Sequence, residues 1–524
     1  MRAAPNPEER HCRALGACVS EPSASVEEGL TRKAVHGTGW SALGTAAKQM
    51  LAFASVAVLA RLLGPPVYGL MGMATLILTF LANFRDLGTA AAIIQRPQVS
   101  KRLLSSLFWV NCALGITLFA IGSLVAVPAA HFFRDPRIVN ILRVISLSFC
   151  MTTLGTVPNA LLARRMDFRS VAISDLTSAA VGYGVSIPCA FAGLGVWSLV
   201  IGSLANIGTA TGLYFYFSAW RPALEFDREE VRSVAHFSLN LAGSGVVNYF
   251  SRNADNIIIG RQLGDRDLGY YQMAYNLFLF PLQNISSVIG QVLNPAFSKI
   301  QDDNERFRSA YLRSCMLIGL ISFPVIAGLG VVAHPFIETV LGKRWLPVVP
   351  LLQILAPIGL FQSVHTTIGH IYLAKGRTDL GFRVGLVLTA ITVSGFLIGV
   401  HWGTIGVAAA YFVVYFLLLY PGLRIAFSLI GLTVSGFLRS LWPQLCITVV
   451  MALTCIAWLA GLRAAGVTRP VIQLVSTVTI GAIVYVGALL LVRPVVLQHF
   501  ESAMETSQTP LARHILVATR TFVR

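Results

Sequence analysis

The 524 residues carry 40 Lys and Arg against 23 Asp and Glu, a formal net charge of +17, yet only 12% of the chain is charged and 55% is hydrophobic. With a mean hydropathy of +0.70, this composition excludes an ordinary soluble domain, in which charged residues make up about a quarter, and describes a polytopic membrane protein. The basic excess does not point to nucleic acid. Loops on the N-terminal side of the apolar segments hold about three Lys or Arg for each one opposite, the positive-inside asymmetry of a protein with both termini cytoplasmic, as in an inner membrane.

Residues 1–36 lack the apolar core of a signal peptide and read as a disordered cytoplasmic tail; its Cys12 and Cys18 have no metal-like spacing. Apolar runs long enough to cross a roughly 30 Å hydrocarbon core as helix follow at 39–63, 67–94, 103–129, 138–162, 171–192 and 194–219. A polar linker at 220–235, rich in Glu and Asp, separates these from runs at 236–259, 268–295, 311–333, 347–373, 380–400 and 403–427. Two more, 440–462 and 470–492, precede a cytoplasmic tail at 494–524. Asn83, Arg85 and Asp86 interrupt the second run, and Pro281, Gln283 and Asn284 the eighth.

The runs are too long and too continuously apolar for strands. The fold expected is all-α and polytopic, with about fourteen transmembrane helices: two pseudo-symmetric six-helix bundles at 37–219 and 236–430, and two extra helices within 431–493. The other six cysteines lie inside apolar runs, so no disulfide framework or metal site follows, and no cofactor is expected. No loop is long enough to fold alone, which argues against an enzyme.

An internal repeat supports the duplication. Arg61-Leu-Leu-Gly-Pro-Pro-Val-Tyr-Gly69 and Arg261-Gln-Leu-Gly-Asp-Arg-Asp-Leu-Gly269 share the frame Arg-x-Leu-Gly-(x)4-Gly at an offset of 200 residues, and Met73-Ala74 recurs as Met273-Ala274. Two copies of one helical unit are a common ground plan of transporters. Both motifs join one apolar run to the next at the outer face, where Gly and Pro suit tight turns.

Each half opens on a helix with a polar stripe. The first carries Ser41, Thr45, Lys48 and Ser55; the seventh carries Asn240, Ser244, Asn248, Ser251 and Asp255, with Arg252 at its edge. Steps of three and four place each set on one helical face. An ionisable group in the bilayer is costly unless it faces water or a partner, so Lys48, Arg252 and Asp255 are read as cavity-facing. For the Ser and Thr positions close helix packing is the stronger alternative. Arg252 and Asp255, three apart, are also placed to pair with each other, and Arg85 with Asp86 presents the same ambiguity. Arg143 and Asp175 sit near run starts and read as snorkelling to the interface. His365 and His370, five apart, do not share the face that helical zinc motifs use.

Several motifs in order carry a resemblance: Arg252-Asn-Ala-Asp-Asn256, Ile259-Gly-Arg261, Gly269-Tyr-Tyr271 with Ala274-Tyr275, Arg61-x-Leu63-Gly64 with Tyr68-Gly69, Asp86-Leu-Gly88, Pro158-x-Ala160-Leu161-Leu162-x-Arg164 and Gly195-Val-Trp197. Over about residues 37–430 the chain resembles bacterial oligosaccharide flippases of the colanic-acid and O-antigen type, within the multidrug/oligosaccharidyl-lipid/polysaccharide exporter superfamily. The resemblance implies alternating access of two bundles around a central cavity, moving undecaprenyl-diphosphate-linked oligosaccharide from the cytoplasmic to the outer leaflet. Partners it implies are the lipid-linked substrate, the bilayer, a glycan polymerase and chain-length regulator, and a coupling proton or sodium ion. Lys48, Arg252 and Arg85 are the candidate diphosphate ligands, Asp255 and Asp86 the candidate ion-coupling or charge-pair residues, and Ser41, Thr45, Ser55, Asn240, Ser244, Asn248 and Ser251 the candidate cavity lining. The alternatives are an ion-coupled multidrug antiporter of the same superfamily and a membrane glycan polymerase or ligase.

Overall fold

The computed structural model describes residues 44, 45, 47–85, 89–96 and 99–492, with backbone alone at 95, 229–230, 232–246, 282–296 and 298–299. Ser41, Asp86 and the two expected tails lie outside the described residues, and the side chains of Asn240 and Ser244 outside the described side chains. Among the described residues every element is helical and no strand occurs.

Helix α1 (47–63) and α2 (Pro65–Ala82) flank the first repeat. The short α3 (Thr89–Gln95), then α4 (Lys101–Phe133), α5 (Ile138–Ile145), α6 (Leu147–Arg164), α7 (Phe168–Phe191) and α8 (Val196–Ser218) complete the first half. The second repeat joins α9 (Arg228–Gln262) to α10 (Asp265–Lys299). There follow α11 (Asn304–Val331), α12 (Ala333–Val340), α13 (Val348–His365), α14 (Ile368–Ala374), α15 (Thr378–Gly399) and α16 (Gly403–Ser428). The chain ends on α17 (Val434–Ala464) packed against α18 (Pro470–Val492).

Nine helical stretches among the described residues are long and apolar enough to cross a bilayer, with the α15–α16 hairpin taken as one of them, and the chain is a multi-pass membrane protein. Helices α7, α9 and α10 fall short of that mark because Asp175, Arg252, Asn253, Asp255, Asn256, Gln272 and Asn276 dilute their apolar character. These three helices also contribute to the central cavity described below.

The two ends of the bundle start their helices differently. At the end carrying the 220–235 segment, side chains cap: Ser100, Asp167, Asp303 and Thr433 each accept a hydrogen bond from a backbone N–H of the following turn, each worth about 1 kcal/mol. At the repeat end, α2 and α10 instead begin directly after Gly64 (φ 75°) and Gly264 (φ 90°). Only glycine adopts that backbone without strain, which explains the Leu-Gly step common to both motifs.

Of the two interruptions read in the sequence, the one at Asn83 is present and the one at Pro281 is not. Helix α2 stops at Ala82, and the Asn83 amide turns back to donate to the carbonyls of Thr79 and Phe80. Helix α10, by contrast, runs on through Pro281 to Lys299. The linker is helical from Arg228 onwards, and its first part is strapped along α4: Ala223 and Asp227 donate backbone N–H to Ser105 and Ser106, and Trp109 donates to the Ala223 carbonyl at 2.9 Å.

Candidate functional site

The two repeats meet face to face. Helices α2 and α10 make the most extensive contact between the halves, and a Cβ on Gly69 would overlap the Asp265 carbonyl oxygen while one on Gly269 would overlap that of Pro65. Glycine at both positions is what lets the backbones approach this closely. The repeat arginines then cross over. Arg61 donates to the carbonyls of Thr339 and Val340 at the end of α12, in the second half. Arg261 donates to those of His131 and Phe132 at the end of α4, in the first half. Each guanidinium satisfies helix-terminal carbonyls that have no intrahelical donor and meets the negative end of a helix dipole.

Trp345, fully buried, seals the middle of this contact. Its indole N–H donates to the Ala60 carbonyl at 2.9 Å, and its ring stands edge-on to Tyr68 and Tyr270 with centroids 5.5 and 6.1 Å away. Arg137 adds an ion pair across the halves, 2.7 Å from Asp265 and 2.6 Å from Asp135. Burial acts to raise the Asp135 carboxyl, but the hydrogen bonds and charge of Arg137 outweigh it and hold its pKa below the ordinary value. A depressed carboxyl stabilises the folded contact above its unfolded pKa of about 4 and loses that contribution as pH falls through the folded value. The stability difference between the wild type and Asp135→Asn should therefore stay constant from pH 8 to 5 and shrink only below about pH 4; a shrinkage near pH 6 would contradict this.

Beneath the closed end lies a cavity of about 1120 Å³ between the halves. Hydroxyl and amide side chains are interspersed with apolar ones in its wall: Thr75, Thr79, Tyr183, Ser203 and Asn206 from the first half, and Asn253, Asn256, Gln272, Asn276 and Gln362 from the second. Arg252 projects into it and forms no ion pair with a described residue. No carboxylate lines it among the described residues. The Asn256 side-chain oxygen, on a residue only 6% exposed, and the Gln362 oxygen are buried without a donor among the described residues. Buried acceptors are rarely left in that state.

A second space of about 970 Å³ opens beside the first, bounded by α1, α10, α11 and the α17–α18 pair. Its wall is apolar, with Phe53, Leu277, Phe280, Leu329, Phe336 and Val478 prominent. The two spaces share Tyr68, Gln272 and Asn276. A polar chamber and an oily groove with a common seam suit one amphiphilic ligand better than two separate ones.

The sequence-predicted residues separate into groups. Arg252 and Ser251 line the cavity, and Ser251 also bonds to Thr389 at 2.9 Å. Asp255 does not pair with Arg252: it is 4% exposed and accepts from Tyr271 OH at 3.0 Å and from the backbone and side-chain nitrogens of Asn256. Lys48 sits 3.0 Å from Asp175, which also accepts from Tyr214 OH at 2.5 Å. That contact ties α1 to α7 and α8, and replaces the interfacial snorkelling read for Asp175. Ser55 is buried, while Thr45 and Asn248 are exposed; none of these three, nor Lys48 or Arg85, lines the cavity. The amides Asn206, Asn253, Asn256, Gln272, Asn276 and Gln362 were missed, although neutral amides spaced through otherwise apolar runs were visible.

A family profile described as "Polysaccharide biosynthesis protein" matches residues 58–350. The chain is 29% identical over 424 residues, 79% of its length and 85% of the relative's, to lipopolysaccharide biosynthesis protein WzxC of Escherichia coli (strain K12). It is 28% identical over 434 residues, 81% and 88% of the two chains, to teichuronic acid biosynthesis protein TuaB of Bacillus subtilis (strain 168). Among solved structures it matches the lipid II flippase MurJ in an inward closed conformation, with a TM-score of 0.67 over 86% of this chain and 97% of that one; at 15% identity this is a likeness of fold.

Proposed function

This chain belongs to the polysaccharide biosynthesis protein family, and from that premise we propose that it flips a lipid-linked oligosaccharide across the membrane during polysaccharide synthesis. The carrying observation is the seam between a polar chamber and an apolar groove at Tyr68, Gln272 and Asn276. An oligosaccharide fits the chamber, whose amides and hydroxyls match hydroxyl groups. A polyprenyl chain fits the groove. Arg252 is the cation for the phosphates between them, since guanidinium binds phosphate oxygens bidentately.

Loop charge assigns the repeat end to the outside and both termini to the cytoplasm of an inner membrane. The structure then corresponds to a state closed outwards, and export needs the two halves to rock apart at the repeats. The chain's class is a transporter rather than an enzyme, working beside a glycan polymerase and a chain-length regulator. In a host lacking the protein, lipid-linked oligosaccharide should accumulate on the cytoplasmic leaflet and return to normal with the wild-type gene; undisturbed polysaccharide output would refute the assignment.

Asp255 is the proposed carrier of a coupling proton or sodium ion, because it is buried beside the cavity and free of an arginine partner. Asp255→Asn keeps the shape and its main acceptor oxygen. It should retain abundance and substrate binding but lose stimulation by an imposed ion gradient. Unchanged stimulation would remove Asp255 from the coupling.

A further inference from the structure

The repeat frame carries more than closure, because its two copies differ one helical turn below the crossing glycines. At the 200-residue offset, Gly72 stands where the second copy has Gln272. The two positions touch: a Cβ on Gly72 would collide with the Gln272 side-chain amide, and the three atoms nearest to it all belong to that amide. The missing side chain in one copy is therefore the space into which the other copy's amide is laid.

That amide lies on the seam. Gln272, Asn276 one turn further along α10, and Tyr68 on α2 are the side chains shared by chamber and groove. None of the three side chains is hydrogen-bonded to a described residue, although Gln272 and Tyr68 are half-buried. Their donors line open space and are free to bind a ligand that enters it. What belongs at a boundary between sugar-sized and lipid-sized spaces is the anionic group linking the two parts of an amphiphile.

We infer that Gln272, aimed by the glycine at position 72, forms with Asn276 and Tyr68 a neutral hydrogen-bonding subsite for the lipid-proximal phosphate of the ligand. This rests on the transport reading above and adds a division of labour to it. Arg252, deeper in the chamber wall, supplies charge; the seam supplies N–H and O–H donors and sets how far the ligand enters. A neutral donor set holds a phosphate without trapping it, and a carrier must release its cargo. The same chemistry would take the phosphate of an ordinary bilayer phospholipid, so the test needs both ligands.

Purified full-length protein in liposomes would be given a fluorescent polyprenyl-diphosphate oligosaccharide or, separately, a fluorescent phosphatidylglycerol, and leaflet exposure followed. Gln272→Glu places a negative charge against the phosphate and should raise KM for the polyprenyl probe about tenfold or more, with kcat changed much less. Gly72→Ala should shift KM in the same direction by displacing the amide. Because the three atoms nearest its added methyl all belong to Gln272, the double variant Gly72→Ala/Gln272→Ala should be no worse than Gln272→Ala alone. Phosphatidylglycerol should not be moved by any of these proteins.

Unchanged KM in both single variants, with an active wild type, would overturn the subsite and leave the transport reading standing. A double variant clearly worse than Gln272→Ala would show that Gly72 serves packing, and would overturn its aiming role. Wild-type transport of phosphatidylglycerol, slowed by the same substitutions, would assign the seam to bilayer lipid instead. A wild type inactive on the polyprenyl probe would overturn the transport reading and the subsite with it.

Discussion

Gly269→Ala is expected to lower transport at least tenfold while leaving the protein in the membrane. The methyl group would overlap the Pro65 carbonyl oxygen, a backbone atom of the opposite half that cannot swing aside. Overpacking of this kind costs about 1–3 kcal/mol, and the clash exists only while the two repeats are in contact. The penalty therefore falls on the closed state and shifts the closed-to-open ratio by roughly 5- to 150-fold. In a background without native cysteines, a cysteine at Thr75 should become reactive towards an impermeant thiol reagent added outside. Gly69→Ala, facing the Asp265 carbonyl, should behave alike, whereas Gly212→Ala, with nothing within 4 Å of the new methyl, should be silent. Equal reactivity in all three would mean that the repeats are not the gate.

Arg252→Ala is the second large effect. Arg252 faces the chamber without a carboxylate partner, so removing it leaves no buried charge behind and the fold should tolerate the change. A charge-assisted contact to phosphate is worth about 1.5–3 kcal/mol, which corresponds to a rise of roughly ten- to a hundredfold in KM. Arg252→Lys should recover part of the loss, since an ammonium keeps the charge but not the bidentate fork. Lys48→Ala should act differently. It strands Asp175 beside Tyr214 and loosens α1 from α7 and α8, so its effect should appear in abundance and thermal stability before KM. If Lys48→Ala raised KM as strongly as Arg252→Ala with normal abundance, the two residues would share one phosphate role.

These contrasts show what the sequence made legible. Length and hydropathy were enough to read an all-helical membrane transporter, because apolar run length is a local property. Arg252 was legible for a similar reason: an arginine inside an apolar run demands an explanation. The partner of Lys48 was not legible, since Asp175 lies 127 residues away and only packing of α1 on α7 joins them. The repeat was read as a pair of turns that register the halves. In the folded chain the same glycines and arginines hold the halves together, a role that exists only once α2 meets α10. The amides of the chamber escaped notice because attention to charge ranks a neutral glutamine low, although six of them line the cavity.

Leaflet exposure of a fluorescent polyprenyl-diphosphate oligosaccharide in liposomes containing only the purified protein is the most direct measurement of the central claim. With an ion gradient or membrane potential imposed, the account predicts probe transfer well above empty liposomes, lowered at least tenfold by Gly269→Ala and weakened through KM by Arg252→Ala. Transfer no faster than in empty liposomes under every gradient would contradict it.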